Sequence, residues 1–210
     1  MLYEINKIVA TASYQHWLTD ELYSSQWFLT MTIIVIFYTV WLKLVDKGRL
    51  SHLLLLGSLS AVGFVIAEVI LIGLLGVAEY KIRPFPLMPP LFIVSITKAP
   101  ILYMLVQQYT NSWKNYTLWA GIGTAGIAFG LFPLYSLVGI YQLHHWNYLY
   151  QFLLMFTDGM IARALFLWVI NIEQKQIALN PVSPTFSRLQ PVATKPLNED
   201  TDDITDNDKQ

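Results

Sequence analysis

No cysteine occurs in this 210-residue chain. Disulfides, thiolate metal sites and a cysteine nucleophile are therefore excluded. Charge is scarce as well. Only 13% of the residues are Asp, Glu, Lys or Arg, against about 25% in an average soluble domain. No basic stripe marks a nucleic-acid footprint. There is no glycine-rich phosphate loop and no nucleophile elbow, so the motifs argue for no enzyme and identify no catalytic residue. His144 and His145 are adjacent, and adjacent helical positions point about 100° apart. Zinc-type pairs favour i,i+4 spacing, and His16 and His52 stand alone. No metal site and no cofactor is assigned.

Long apolar runs are what the chain has instead. It is 55% hydrophobic and 14% aromatic. Crossing a bilayer core of about 30 Å takes about 20 apolar residues in a helix. Five segments qualify: 27–44, 51–77, 88–108, 117–140 and 149–172. The expected fold is all-α, a polytopic membrane helix bundle of about five transmembrane helices over residues 27–172. Trp27 and Trp41 bracket the first span. Trp113, Tyr116 and Trp119 mark one interface, and Tyr141, Trp146, Tyr148 and Tyr150 the other, as aromatic belts do.

Three segments flank or interrupt the spans. Residues 1–26 contain Glu4, Lys7, Asp20 and Glu21 and no uninterrupted apolar stretch. No cleaved signal peptide is expected there. Two readings stand for this segment, an amphipathic interfacial helix lying on the membrane and an unstructured end. The linker 79–90 is dense in proline, which removes backbone donors and disfavours helix before each ring. It reads as a semi-rigid connector. Residues 173–210 form an acidic tail, and the stretch after Gln176 alone holds six of the chain's fourteen acids: Glu199, Asp200, Asp202, Asp203, Asp206 and Asp208. A stretch so poor in apolar residues is expected to be disordered.

Orientation follows from the loop cations. Lys43, Lys47, Arg49, Lys114 and Lys175 fall on one side, and Lys7, Lys81 and Arg83 on the other. The richer side goes to the cytoplasm. The N-terminus is then outside and the tail cytoplasmic.

Four charges interrupt the apolar runs: Glu68, Lys98, Asp158 and Arg163. Each costs at least about 2.5–3.5 kcal/mol at bilayer depth, and such groups pair or face a wet cavity. Counting from the outer helix ends puts Glu68, Lys98 and Asp158 roughly 14 Å deep, with Arg163 about one turn deeper. Two acids and two bases at one level are expected to form an intramembrane charged cluster. Asp158 and Arg163 lie five residues apart, roughly 140° around the helix, so their partners are sought on other helices. Lys98 is expected to meet Glu68 or Asp158. Arg163 would meet the remaining acid or backbone carbonyls. Pro100 marks a helix break that frees a carbonyl near Ile96. Buried pairs that only fix helix register, a substrate or ion site, and proton-linked chemistry all fit this pattern. On the fourth segment, Gly126 and Gly130 have the spacing that allows close helix packing, with homodimerisation as the alternative.

Several stretches carry a resemblance. They are Trp41-Leu-Lys-Leu-Val-Asp-Lys-Gly-Arg-Leu, Pro86-Leu-Met-Pro-Pro, Ala99-Pro-Ile-Leu-Tyr-Met-Leu-Val-Gln-Gln-Tyr and Gly139-Ile-Tyr-Gln-Leu-His-His-Trp-Asn-Tyr-Leu-Tyr. Together they span residues 27–172. The pattern resembles an uncharacterised family of small multi-pass integral membrane proteins of spore-forming, Bacillus-like Firmicutes. Lys98 and the acidic tail depart from that pattern. The resemblance implies a bacterial plasma membrane location and brings no activity with it.

Three function classes follow. The first is a non-enzymatic structural or interaction protein, with membrane lipid, a second copy or other membrane proteins as partners and no nucleic acid. The second is a small transporter or channel component with a midplane charged site. The third is a membrane enzyme acting on a lipid or isoprenoid. Five helices without an internal repeat are few for an inverted-repeat transporter.

Overall fold

The computed structural model of the protein describes residues 2–86 and 97–179. Two compact units divide the chain, 1–170 and 171–210. In the second, the described residues are the end of one helix. Helix dominates, and four of the helical stretches are long and apolar enough to cross a membrane: Ser25–Leu44, Lys47–Leu74, Trp113–Leu137 and Tyr148–Gln176. These match four of the five expected spans. Part of the remaining one, from 88 to 96, lies outside the described residues, and its described part carries the helix Ala99–Tyr109.

The N-terminal segment is helical. Helix α1 (Leu2–His16) runs on into a π turn, Trp17–Glu21. Tyr23 then takes a left-handed conformation, with φ of 62°, and redirects the chain into α2 (Ser25–Leu44). Ser24 caps α2, its hydroxyl accepting from the Trp27 amide at 3.1 Å. Serine suits this place because it satisfies one orphan donor of the first turn.

A 3-10 turn (Lys47–Arg49) leads to α3 (Leu50–Glu68), which widens into a π segment, Val69–Leu74. The turn is built by Asp46, whose carboxylate accepts from the Gly48 amide at 2.9 Å and from Arg49 Nε at 2.8 Å. The Arg49 side chain and the Gly48 amide hold the Asp46 carboxyl below its ordinary value. This small contribution is present at neutral pH and fades as acid protonates Asp46. Gln108 fastens this corner to α4 (Ala99–Tyr109). Its Oε1 accepts from the Asp46 amide and its Nε2 donates to the Leu44 carbonyl, both at 2.8 Å.

Pro100 sits in the first turn of α4, directly after a π turn at Thr97–Lys98. The carbonyl near Ile96 falls outside the described residues. The next span is composite: α5 (Trp113–Ala125), a π segment (Gly126–Leu131) and α6 (Phe132–Leu137). The last helix, α7, runs Tyr148–Leu179. It continues through 173–179, beyond the expected limit at 172. The apolar pattern stops there, but Glu173, Gln174, Lys175 and Gln176 are good helix formers.

Beyond the span ends, β1 (Ala78–Tyr80) pairs antiparallel with β2 (Tyr141–Leu143), with Glu79 opposite Gln142. Two left-handed glycines make the approach, Gly76 (φ 59°) before β1 and Gly139 (φ 76°) before β2. Only glycine enters that region without a steric cost. Below this sheet the main core gathers Leu56, Phe64, Tyr103, Tyr116, Phe132, Tyr135 and Met155. A smaller core of Trp41, Val45, Leu53, Ile101 and Met104 sits where α2, α3 and α4 meet.

Candidate functional site

Each of the four interrupting charges has a described contact. Asp158 lies nearest mid-depth. Its Oδ2 accepts from Ser60 Oγ at 2.6 Å, joining α7 to α3. Ser60 is ten residues from the start of α3, roughly 15 Å along the axis. Gly63, one turn further on, leaves room for the carboxylate, because a Cβ at that position would collide with Asp158 Oδ1.

Glu68 is shallower. Its Oε1 accepts from the Tyr80 hydroxyl at 3.2 Å, and Tyr80 belongs to β1, outside the span. Burial, reinforced by the Glu68 charge, holds the Tyr80 phenol well above the ordinary tyrosine value. Tyr141, across the sheet, is raised for the same two reasons. Both phenols therefore remain donors at neutral pH. The pocket that Glu68 lines with Tyr80, Tyr141 and Trp146 is only about 20 Å³. It has room for about one water.

Lys98 is buried, with 1% of its surface exposed. Its Nζ meets the Tyr135 hydroxyl and lies 3.9 Å from the centroid of that ring. Tyr135 is two residues from the end of its span, so the ammonium is drawn toward the same end as Glu68. These tyrosine contacts are side-chain partners that a count of charges alone could not anticipate.

Arg163 corrects its expectation most clearly. Its guanidinium carbon lies 4.8 Å from the ring centroid of Trp113 and 4.2 Å from that of Tyr116. Trp113 is the first residue of α5, whereas Tyr135, which meets Lys98, lies near the end of α6, so the two cations sit toward opposite ends of the composite α5–α6 stretch. Among the described residues it meets neither a carboxylate nor a backbone carbonyl, and Nε and Nη1 are buried without a hydrogen-bond partner. The long side chain carries its charge away from mid-depth, as lysine and arginine do near span ends.

The glycines are also redistributed. Gly126 and Gly130 are exposed, and a Cβ at either would meet nothing within 4 Å. Among the described residues they face no packed neighbour. Close approach occurs instead at Gly57 against Met104, Gly123 against Leu102 and Gly159 against Tyr103. The pattern of small residues showed where packing was allowed, while the partner side chains decided where it happened.

Ser60 and Asp158 supply one direct test. Ser60→Ala leaves a half-buried carboxylate without its hydroxyl, at an expected cost of about 1–3 kcal/mol. Thermal unfolding in detergent reads the loss, and Asp158→Asn in the same background is expected to recover part of it.

A second polar site lies beyond the span ends, where no motif pointed. Glu21 and Arg83 form a buried ion pair, with 1% and 8% of their surfaces exposed. Arg83 Nη2 donates to Glu21 Oε1 and the Arg83 amide to Glu21 Oε2, both at 2.5 Å. Arg83 Nη1 donates to Ser13 Oγ at 2.7 Å. Two indoles close the joint: Trp17 Nε1 donates to the Arg83 carbonyl at 2.8 Å, and Trp27 Nε1 to the Pro84 carbonyl at 3.1 Å. The proline-dense linker thus offers fixed carbonyls to the N-terminal segment. Beside this joint opens a cleft of about 810 Å³ lined in part by His16, Asp20, Glu79, Lys81 and His144. His16 Nδ1 is 2.7 Å from Asp20 Oδ2, and His144 Nε2 is 3.4 Å from Glu79 Oε2. Among the described residues no group of three His, Asp or Glu side chains is placed to hold a metal ion.

The only sequence signal for this joint is a charged pair, Glu21 and Arg83, in segments otherwise read as an end and a linker. Comparison with known proteins finds no matching family model, no matching curated protein and no matching solved structure.

Proposed function

We propose that this is a non-enzymatic, multi-pass integral membrane protein of the bacterial plasma membrane that works through its surfaces. The observation that carries this reading is the use made of the buried charges. Asp158 meets Ser60, Glu68 meets Tyr80, Lys98 meets Tyr135 and Arg163 meets two aromatic rings. Each contact joins two separate elements, which is how polar groups fix helix register. The reading includes membership of the Firmicute membrane family, five spanning helices, an outer N-terminus and a cytoplasmic acidic tail. It also includes α1 as an interfacial helix. Ile5, Ile8 and Val9 are exposed and fall on one helical face, as a helix lying on lipid requires. The exposed Gly126 and Gly130 support association with a second copy.

The transporter alternative rests on the same four charges and predicts flux. Purified protein reconstituted into vesicles is expected to pass no Na⁺, K⁺ or H⁺ above empty vesicles. Flux that Asp158→Asn abolishes would replace the structural reading with the transporter one.

A further inference from the structure

Arg163 is the cation in the bundle whose described surroundings leave it without a counter-charge. Only 3% of its surface is exposed, yet two of its nitrogens lack any partner among the described residues. An arginine at a span normally pairs with an acid or with backbone carbonyls. Asp158, the acid five residues away on the same helix, is engaged by Ser60. The Tyr116 hydroxyl is engaged too, donating to the Gly159 carbonyl at 3.1 Å. The two rings stabilise the cation through their faces. They accept no N–H in the plane of the guanidinium.

The position of this group selects the missing partner. Trp113 opens the apolar span Trp113–Leu137, and Ser112 caps it, accepting from the Asn115 amide at 3.2 Å. That is the level of lipid headgroups. Lys114 is exposed beside it, as is Lys47 at the same end of α3. Trp113, which lies against the guanidinium, is itself 46% exposed.

We propose that Arg163, seated between Trp113 and Tyr116, binds the phosphate of an anionic phospholipid from the adjoining leaflet. A phosphate supplies the counter-charge and an oxygen acceptor for an unpartnered guanidinium N–H, the charge-assisted contact for which arginine is suited. Lys47 and Lys114 add general attraction to an anionic surface. This site rests on the chain spanning a membrane, and alkaline carbonate washing checks that premise separately. Protein released by carbonate defeats the membrane reading as a whole.

The test uses full-length protein purified in neutral detergent. Unfolding temperature is measured against added phosphatidylglycerol, phosphatidylcholine or inorganic phosphate. Phosphatidylglycerol is expected to raise the midpoint by several degrees more than phosphatidylcholine, and inorganic phosphate to have no effect at matched concentration. In Arg163→Gln the phosphatidylglycerol excess is expected to fall by more than half. No preference in the wild type, or a full preference retained in Arg163→Gln, overturns the site. A shift reproduced by inorganic phosphate alone overturns the lipid assignment. If Arg163→Gln does not fold, lipid co-purifying with the wild type decides the matter. Enrichment of phosphatidylglycerol over the bulk membrane supports the site, and bulk proportions overturn it.

Discussion

Glu21→Ala is expected to destabilise the protein by about 3–5 kcal/mol, the usual consequence of stranding one partner of a buried ion pair. The effect is large because Arg83 loses nearly all its acceptors together. Glu21 takes the Arg83 amide, Nε and Nη2, and only the Ser13 hydroxyl and carbonyl remain. Asp20→Ala, one residue away, is the control. Its side chain is 62% exposed and paired only with the equally open His16, so it is expected to change stability by no more than about 1 kcal/mol. Thermal unfolding separates the two. The double change Glu21→Ala with Arg83→Ala should cost less than the sum of the single changes, because the second removes the stranded charge. A Glu21→Ala protein that melts with the wild type would show that the joint does not hold the N-terminal segment.

Gly159→Val is the second large effect. A Cβ at Gly159 would lie 2.7–3.1 Å from three atoms of the Tyr103 ring. That ring is fully buried, and its hydroxyl donates to the Met155 carbonyl at 2.6 Å. It has nowhere to move. Overpacking of this kind typically costs about 1–3 kcal/mol, occasionally more, and a branched side chain takes the upper part of that range. Gly126→Ala is the opposite case. The added methyl meets nothing, and alanine is the better helix former by about 1 kcal/mol. Gly126→Ala is therefore expected to be neutral or slightly stabilising in detergent unfolding. Reversal of this order would place the tight helix contact on the composite α5–α6 span after all.

Four helices long and apolar enough to cross a membrane were legible from the apolar runs alone. The spans at Ser25–Leu44, Lys47–Leu74, Trp113–Leu137 and Tyr148–Gln176 lie within a few residues of where hydropathy put them. The lipid solvent demands helices of that length, and no tertiary contact can change the requirement. The cost of an interrupting charge was legible in the same way, so Glu68, Lys98, Asp158 and Arg163 stood out before any fold was known.

The aromatic rings that meet them were not legible. Sequence spacing gives a residue's depth on its own helix, assuming straight helices that start level. It does not give the reach of a long side chain or the identity of a ring on another helix. Tyr80, Tyr135, Trp113 and Tyr116 read as ordinary interface aromatics, yet they meet the charges. The Glu21–Arg83 joint lies 62 residues apart in sequence, in segments without periodicity. Only the tertiary structure brings it together. Local patterning therefore determined what must be buried in lipid, because that cost is a property of each segment by itself. Which polar group satisfies which was decided by packing, because hydrogen bonds and ring contacts require particular atoms a few ångströms apart.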